Sequence, residues 1–351
     1  MISLIRNQSY RWSRRRVWLL CIALGIWAVT GIFHGLAQLV SKLQHLPSVR
    51  LVLAATSEDD LQWTTNLTIP NLQVIPYIAD NSSAPFHPAA NKGHEALMYL
   101  TYLHDFYDNL SDISIFTHAT DYAWHIDPIF DHSTVNTLNH LDLHEVRRRQ
   151  YMNLHVDWTH GCPAWINTTK GQYSRLKLEE PFMARAFAEN FPNNTVPKAF
   201  AQPCCSQFAV TKEAIRYVPR IQYGKHMEWL MDTEFNDHIS GRVWEHMWQW
   251  LFLRRAVDCP VEYKALCRGW HVCFSSQEEM NEWNEMYKVI DLKQEVKKTL
   301  LESGNEHLQR IGKLGAEIEV LDSKLERWRT DAVQRGKSTT YRKHIAQDMV
   351  P

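Results

Sequence analysis

The sequence predicts an α/β domain that follows a single membrane-spanning helix and precedes a helical tail. Three patterns support this: an uncharged run of 25 residues near the N-terminus, a strand–strand–helix–strand order after it, and heptad spacing near the C-terminus. The chain has 351 residues, 45% of them hydrophobic, enough to bury a sizeable core. Its net charge of −1 argues against a nucleic-acid-binding protein, because such proteins need a sustained positive field.

The uncharged run covers residues 17–41 and is long enough to cross a bilayer, which takes about 20 apolar residues. Residues 1–57 carry seven basic and no acidic residues, whereas the remainder carries 31 basic and 39 acidic ones. Three arginines at 14–16 precede the run and only Lys42 follows it closely, which predicts a cytosolic N-terminus. A cleaved signal peptide ending near Ala37 is the alternative.

These features predict a type II membrane protein of the Golgi or endoplasmic reticulum, with its C-terminus in the lumen. The expected segments are a basic cytosolic tail (1–16), a signal anchor (17–40), a stem (41–49), an α/β domain (50–275), a helical or coiled-coil segment (276–335) and a disordered tail (336–351).

Glycosylation sequons and cysteines fit a lumenal domain. Five sequons follow the uncharged run, with acceptors Asn66, Asn81, Asn109, Asn167 and Asn193. Six of the seven cysteines also lie beyond it, and this even number favours disulfides over zinc ligation. We expect the adjacent Cys204 and Cys205 to bond to different partners, because a bridge between neighbours strains the backbone.

The α/β domain is predicted from its first four elements. Apolar runs at 50–55, 72–78 and 112–117 read as strands, and the segment 91–109 reads as a largely buried helix. In open parallel sheets, ligands bind beyond the carboxyl ends of the strands. The polar segments 56–60 and 118–127 occupy those ends here.

Later elements continue the domain and then change character. Residues 207–210 predict a short strand that leads into a helix with Thr211 as its N-cap, and residues 242–253 predict a tryptophan-rich helix. Beyond the last cysteine the composition becomes helical, with apolar residues spaced alternately by three and four: Ile311, Leu314, Ile318, Leu321, Leu325, Trp328 and Ala332. This seam indicates either a homodimeric coiled coil through residues 308–332 or an amphipathic helix packed on the domain.

Ten of the 18 histidines fall between His87 and His160, which raises the question of a metal. His118, Asp121 and His125 are the candidate ligands, although only a loop would bring them together and no HExxH spacing is present. The alternative is a polar pocket lined by histidine and tryptophan, or ordinary packed residues. Neither a GxSxG elbow nor a Walker phosphate loop occurs, which argues against the common hydrolases and P-loop enzymes.

Two further candidates carry charge next to helices. Asn91, Lys92 and Gly93 precede a helix, where exposed N–H groups and a lysine favour an anion, although a glycine turn explains the motif equally well. Glu245 is either a general base or the ion-pair partner of Arg242 one turn earlier.

Aromatic side chains add a possible sugar-binding surface. Trp124, Trp158 and Trp165 present large rigid rings that stack on sugar faces, or they belong to the core.

Four motifs in this order resemble an uncharacterised protein family abundant in filamentous fungi and catalogued as a domain of unknown function. The motifs are NKGHEALMYLTYLHDFYDNLSDISIFTHA (91–119), NLHVDWTHGCPAWI (153–166), PCCSQFAVTKEAI (203–215) and SGRVWEHMWQWLF (240–252). The resemblance spans roughly residues 50–275 and implies no agreed activity.

More distantly, the order of these elements is similar to that of GT-A glycosyltransferases. This resemblance implies that Asp59 and Asp60 meet the nucleoside of a nucleotide sugar and that Asn91, Lys92 and Gly93 face its diphosphate. It implies catalytic roles for Glu245, His118 and Asp121, and an acceptor side formed by Trp124, His125, Ser206 and Gln207. The sequence departs from the DxD metal motif at THATD (117–121), which puts a divalent metal in doubt.

The leading expectation is therefore a lumen-facing glycosyltransferase that transfers a sugar from a nucleotide sugar to an unidentified acceptor. One alternative is a non-catalytic membrane glycoprotein that acts through its coiled-coil tail. Another is a metal-dependent hydrolase that uses the histidine-rich loop.

Overall fold

The computed structural model describes residues 27, 30–33, 35, 46–169, 174–303 and 307–345. The chain divides into two compact units, Met1–Pro47 and Ser48–Pro351. Almost all of the segment expected to cross the membrane, residues 17–40, lies outside the described residues. Within the described part, no helix has the length and apolar character needed to span a bilayer.

The second unit is a mixed α/β structure. Its strands are Val49–Ala55 (β1), Leu72–Ile78 (β2), Ile113–His118 (β3), Tyr151–Asn153 (β4), Ile166–Asn167 (β5), Ala199–Phe200 (β6) and Phe208–Thr211 (β7). Its α-helices are Glu95–Asp105 (α1), Thr134–Asn139 (α2), Leu143–Arg149 (α3), Glu180–Asn190 (α4), Lys212–Tyr217 (α5), Arg220–Asp232 (α6), Asp237–Glu245 (α7), Trp248–Leu253 (α8), Glu262–Trp270 (α9), Gln277–Glu302 (α10), Leu308–Gly336 (α11) and Thr339–Ile345 (α12). Short 3-10 helices cover Gln62–Asn66, Tyr107–Asn109 and Pro128–Phe130.

The five-stranded sheet has the order β2-β1-β3-β7-β4. β2, β1 and β3 are parallel, whereas β7 is antiparallel to both β3 and β4. The prediction of an α/β fold is confirmed, and the expected open parallel sheet proves to be mixed. The carboxyl ends of β1 and β3 lie side by side, because Ala54 pairs with His118.

Helices cover both faces of the sheet, so alternate residues of each strand enter two separate cores. Val52 and Phe116 point into one core, which includes Trp244 and Trp248. Leu51, Leu53, Ile113 and Ile115 point into the other. Some of the 14 tryptophans therefore have a structural role: Trp244 and Trp248 are fully buried, with ring centroids 5.0 Å apart.

The C-terminal helices α10 and α11 form an antiparallel pair on the second core. Trp283 Nε1 donates to the carbonyl of Leu325 (3.2 Å), and Lys293 binds Glu317 (2.6 Å). Ile318 and Leu325 of the heptad seam are buried within this chain. The structure therefore contains the amphipathic packing alternative, and the homodimer through residues 308–332 stays a prediction.

Three expectations need correction. The tryptophan-rich helix is not continuous: α7 ends at Glu245 and α8 begins at Trp248. The packed core of the α/β domain, which was expected to end at residue 275, extends further, because α10 and α11 share its second core. Part of the tail expected to be disordered is helical, at Thr339–Ile345. Thr211 is confirmed as an N-cap, since its hydroxyl accepts the N–H of Ala214.

The six cysteines beyond the uncharged run form three disulfides: Cys162–Cys259, Cys204–Cys205 and Cys267–Cys273. The expectation that Cys204 and Cys205 have different partners is wrong. The backbone accommodates their bond with positive φ at Cys205 (87°) and at Ser206 (50°), a conformation that non-glycine residues rarely adopt.

Candidate functional site

A pocket of about 420 Å³ opens beside the carboxyl end of β3. Its wall is rich in polar and aromatic groups, namely His94, Glu95, His118, Trp124, His125, His160, Trp165, Arg175, Leu176, Cys204, Cys205, Gly241, Arg242 and Glu245. It occupies the edge where ligands bind in open α/β sheets. Five predicted site residues meet here: His118, Trp124, His125, Trp165 and Glu245.

Glu245 is held at the last residue of α7. Its Oε1 accepts the backbone N–H of Cys205 (2.8 Å), and its carbonyl accepts the side-chain amide of Gln202 (2.7 Å). The carboxylate is thus fixed against the disulfide loop and faces the pocket.

Arg242, one turn earlier, does not form the expected ion pair with Glu245. Its Nε donates to the fully buried Glu179 (2.8 Å), which also binds His246 Nε2 (2.9 Å). Burial alone would raise the pKa of Glu179, but the hydrogen bonds from His246 and Arg242 outweigh it and lower that pKa to about 2. Glu179 therefore anchors a cation at the pocket wall.

The two histidines at the strand end are also fixed. His118 Nε2 donates to the carbonyl of Cys205 at 3.1 Å. The His118 ring packs edge to face against that of His125, with ring centroids 4.8 Å apart. The buried Gln207 accepts from Thr117 and donates to the carbonyl of His125. Burial, with His118 and His155 nearby, lowers the pKa of His125 to about 3, so its imidazole is neutral at pH 7.

Aromatic rings form the outer wall of the pocket. Trp124 is 71% exposed and contacts the rings of His125 (5.4 Å) and His160 (5.9 Å). The ring centroids of Trp165 and His160 are 6.1 Å apart. Lys177 Nζ lies over the Trp165 ring, 4.3 Å from its centroid. An exposed tryptophan beside a polar pocket suits a ligand with apolar faces, such as a sugar ring.

The segment 91–93 has a structural role. Lys92 Nζ donates to the carbonyls of Met231 (2.8 Å) and Thr233 (3.3 Å) at the end of α6. Gly93 adopts φ +69°, and a Cβ there would lie 2.8 Å from the Leu230 side chain. Asn91, Lys92 and Gly93 are absent from the described pocket wall, whereas the next two residues, His94 and Glu95, belong to it.

Asp59 and Asp60 cap backbone groups after β1. Asp59 Oδ2 accepts from the N–H and hydroxyl of Thr56, and Asp60 Oδ1 accepts the N–H of Gln62. Neither contributes to the pocket wall among the described residues. Their predicted contact with a nucleoside therefore finds no support in the pocket.

Of the three proposed metal ligands, His118 and His125 lie together in the pocket, but Asp121 is not part of its described wall. Asp121 Oδ1 accepts from the Ser133 hydroxyl and the Val135 N–H at the start of α2, away from His118 and His125. In the described part of the chain, the one group with metal-ligand spacing is Cys204, Cys205 and Glu245. The predicted set of His118, Asp121 and His125 does not fit a metal.

The remaining predicted side chains are buried or paired elsewhere. The Ser206 hydroxyl accepts from Trp248 Nε1 (3.3 Å), and Trp158 Nε1 donates to the carbonyl of Pro260 (2.9 Å). Of the glycosylation acceptors, Asn167 is half-buried and the other four are exposed: Asn66, Asn81, Asn109 and Asn193. Exposure is compatible with modification at those four.

Sequence reasoning missed several members of the pocket, including His94, Glu95, His160 and Arg175. Arg242 was considered only as a partner of Glu245. His160 precedes Gly161, where an added Cβ would lie 1.8 Å from the carbonyl oxygen of Gln202. That tight approach brings the loop carrying His160 against the segment just before Cys204, and it leaves no periodic signal in the sequence.

The fold and site define an α/β protein with a polar, aromatic-walled pocket at the carboxyl end of its parallel strands. The chain belongs to the family described as "Protein of unknown function (DUF3431)", which matches residues 51–268. The matched region contains every pocket residue named above. No curated protein and no solved structure matches the chain.

Proposed function

We propose that this protein is a membrane-anchored, lumen-facing glycosyltransferase that uses the pocket described above. The observation that carries the proposal is the convergence of a fixed carboxylate, two arginines and exposed tryptophan in one pocket of about 420 Å³. That volume lies in the range of small-molecule sites. The uncharged N-terminal run and the exposed sequons support the membrane and lumenal parts of the proposal.

The arginines supply the site for an anionic donor. Arg242 is oriented by Glu179, and Arg175 lies on the same wall. Guanidinium groups bind phosphate oxygens in a bidentate manner. These two residues therefore replace Lys92 as the groups that neutralise the diphosphate of a nucleotide sugar.

Glu245 is the proposed general base. The acceptor hydroxyl gives its proton to the Glu245 carboxylate while the hydroxyl oxygen bonds to the anomeric carbon of the donor. The bond from that carbon to the diphosphate breaks, and the leaving diphosphate keeps the electron pair. Arg175 and Arg242 stabilise the negative charge on it.

The neutral imidazole of His125 and the ring of Trp124 form the acceptor side. His125 offers a hydrogen bond without adding charge, and Trp124 offers an apolar face for a sugar. The side-chain amide of Gln207 fixes the position of His125 by donating to the backbone carbonyl of His125.

The test uses the full-length protein in detergent with a panel of nucleotide sugars. We expect one donor to raise the melting temperature, and Glu245→Gln to retain that shift while lowering turnover about 10²–10⁴-fold. Arg242→Met should weaken donor binding. The control is Glu228→Gln, which changes an exposed glutamate of α6. Failure of every donor to bind would overturn the proposal.

A second candidate is a non-catalytic accessory protein that acts through its C-terminal helices, including a homodimer through residues 308–332. It is favoured by large apolar side chains exposed on α10 and α11: Leu292 (60%), Leu301 (56%), Leu308 (63%) and Val320 (69%). Light-scattering mass of the wild type and of Leu308→Gln/Val320→Gln tests it, with a dimer that dissociates in the variant as the supporting result.

A further inference from the structure

We propose that Cys204, Cys205 and Glu245 form a redox-controlled binding site for a thiophilic divalent cation such as Zn²⁺. The two sulfur atoms and a carboxylate oxygen all lie within 4.8 Å of one another. In the oxidised protein the sulfurs are bonded to each other, so the cation site exists only after reduction. This proposal rests on these three residues alone and does not require a glycosyltransferase.

The Cys204–Cys205 bond is open to a reductant. Both residues line the pocket; Cys205 is half-buried and Cys204 is 7% exposed, so a reductant would attack from the pocket at Cys205. By contrast, Cys267 and Cys273 are fully buried. Cys162 and Cys259 are both half-buried but lie outside the described pocket wall, and their bond joins segments 97 residues apart.

Backbone conformation also favours reduction of this pair. Cys205 and Ser206 are consecutive non-glycine residues with φ of 87° and 50°. Such conformations are sparsely populated and persist where the surrounding structure enforces them. Opening the disulfide removes one of the constraints that enforce them here.

Reduction follows ordinary thiol–disulfide exchange. A thiolate of a dithiol reductant attacks one cysteine sulfur and forms a mixed disulfide, and the other cysteine leaves as a thiolate. The second thiol of the reductant then attacks the mixed disulfide and closes a cyclic disulfide. The reductant loses two electrons, and Cys204 and Cys205 gain them as two thiols.

The reduced residues match the ligand preference of zinc. Zinc binds thiolate and carboxylate ligands at about 2.3 and 2.0–2.2 Å, so neighbouring ligand atoms lie about 3.5–4 Å apart. Side-chain rotation at two adjacent cysteines is enough to reach this spacing from the positions seen here. Binding releases the two thiol protons. Because all three residues line the pocket, a cation bound to them would keep its fourth position open to it, as in zinc sites that keep an open position.

Cation binding would change the pocket that it borders. The Glu245 carboxylate now accepts the N–H of Cys205, and the carbonyl of Cys205 accepts from His118. If the Glu245 carboxylate bound zinc, it would lose its hydrogen bond from the Cys205 N–H and would no longer be free to act as a base. Oxidised and cation-bound proteins are thus alternative states of one pocket wall.

The test begins with mild dithiothreitol treatment of the full-length protein, followed by alkylation and mass-spectrometric mapping of cysteines. We expect Cys204 and Cys205 to be labelled before the fully buried Cys267 and Cys273. After anaerobic removal of the reductant, competition with a chromogenic chelator should show one Zn²⁺ per chain. The untreated, oxidised protein should bind no Zn²⁺ with an affinity comparable to that of the reduced protein.

Variants separate the site from adventitious binding. Cys204→Ala/Cys205→Ala should abolish zinc binding, and Glu245→Gln should weaken it about tenfold or more. Glu228→Gln is the matched control, and the melting temperature of each variant shows that it is folded. Equal zinc binding by the double alanine variant, no binding by the reduced wild type, or labelling of Cys267 and Cys273 before Cys204 and Cys205 would each overturn the proposal.

Discussion

Replacing Glu179 by Gln tests the charged network that holds Arg242 at the pocket wall. The Glu179 side chain is fully buried and binds Arg242 Nε at 2.8 Å and His246 Nε2 at 2.9 Å. A buried carboxylate with two cationic or donor partners is stabilising only while both partners remain in place. The glutamine keeps the size of the side chain but removes its charge.

The magnitude follows from the pKa of Glu179. Hydrogen bonds from His246 and Arg242 overcome the effect of burial and lower that pKa from 4.5 to about 2. This difference corresponds to about 3 kcal/mol in the free energy of unfolding. Between pH 4.5 and about 2 the unfolded chain binds a proton at Glu179 that the folded chain does not. The stabilisation is therefore complete above about pH 5 and is lost as the pH falls towards 2.

The assay is urea unfolding, followed by tryptophan fluorescence, at a series of pH values from 2 to 8. Glu179→Gln should be less stable than the wild type by about 3 kcal/mol at pH 7, and the two should converge near pH 2. The exposed Glu228→Gln should follow the wild type throughout. A constant difference between Glu179→Gln and the wild type across this range would refute the assigned pKa and its cause.

Three other substitutions test the scaffold around the pocket. Gly161→Ala should destabilise the protein by about 3 kcal/mol or more in urea unfolding, because its Cβ would lie 1.8 Å from the backbone oxygen of Gln202. Lys92→Met should lower the free energy of unfolding by about 1–3 kcal/mol, because the ammonium group no longer binds two carbonyls. The thermal shift produced by a nucleotide sugar should be retained. Loss of that shift without loss of stability would instead support the role in donor binding predicted for Lys92 from the sequence. Gln207→Leu should cost about 2 kcal/mol and weaken ligand binding by releasing His125, which calorimetry of the variant would measure.

Four of the five strands of the main sheet were predictable because their signals are local, whereas the three-residue β4 was not predicted. The expected strand at 72–78 agrees with Leu72–Ile78. The strand expected at 50–55 begins one residue earlier, at Val49, and the strand expected at 112–117 is shifted by one residue, to Ile113–His118. Thr211 was identifiable as an N-cap because its bond to Ala214 depends only on neighbouring residues. Alternation and capping act over a few residues, so a single sequence records them.

The site was less predictable because its partners are distant in sequence. Lys92 resembles an anion-binding residue, but its ammonium group binds carbonyls 139 and 141 residues later. Asp121 resembles a metal ligand, yet it caps α2. The residue type alone does not distinguish a lysine or aspartate that stabilises a turn from one that binds a ligand, because tertiary contacts determine which role it has.

Arg242 and Glu245 show what those distant contacts contribute to chemistry. At this spacing on a helix, an arginine and a glutamate would ordinarily neutralise each other. Here Glu179 binds the arginine and the Cys205 N–H binds the glutamate, so each charge has its own partner. A cation and an anion therefore stand separately on one pocket wall, where they can engage opposite ends of a polar ligand. The same separation lets Glu245 turn towards the cysteine sulfurs without breaking an ion pair to Arg242.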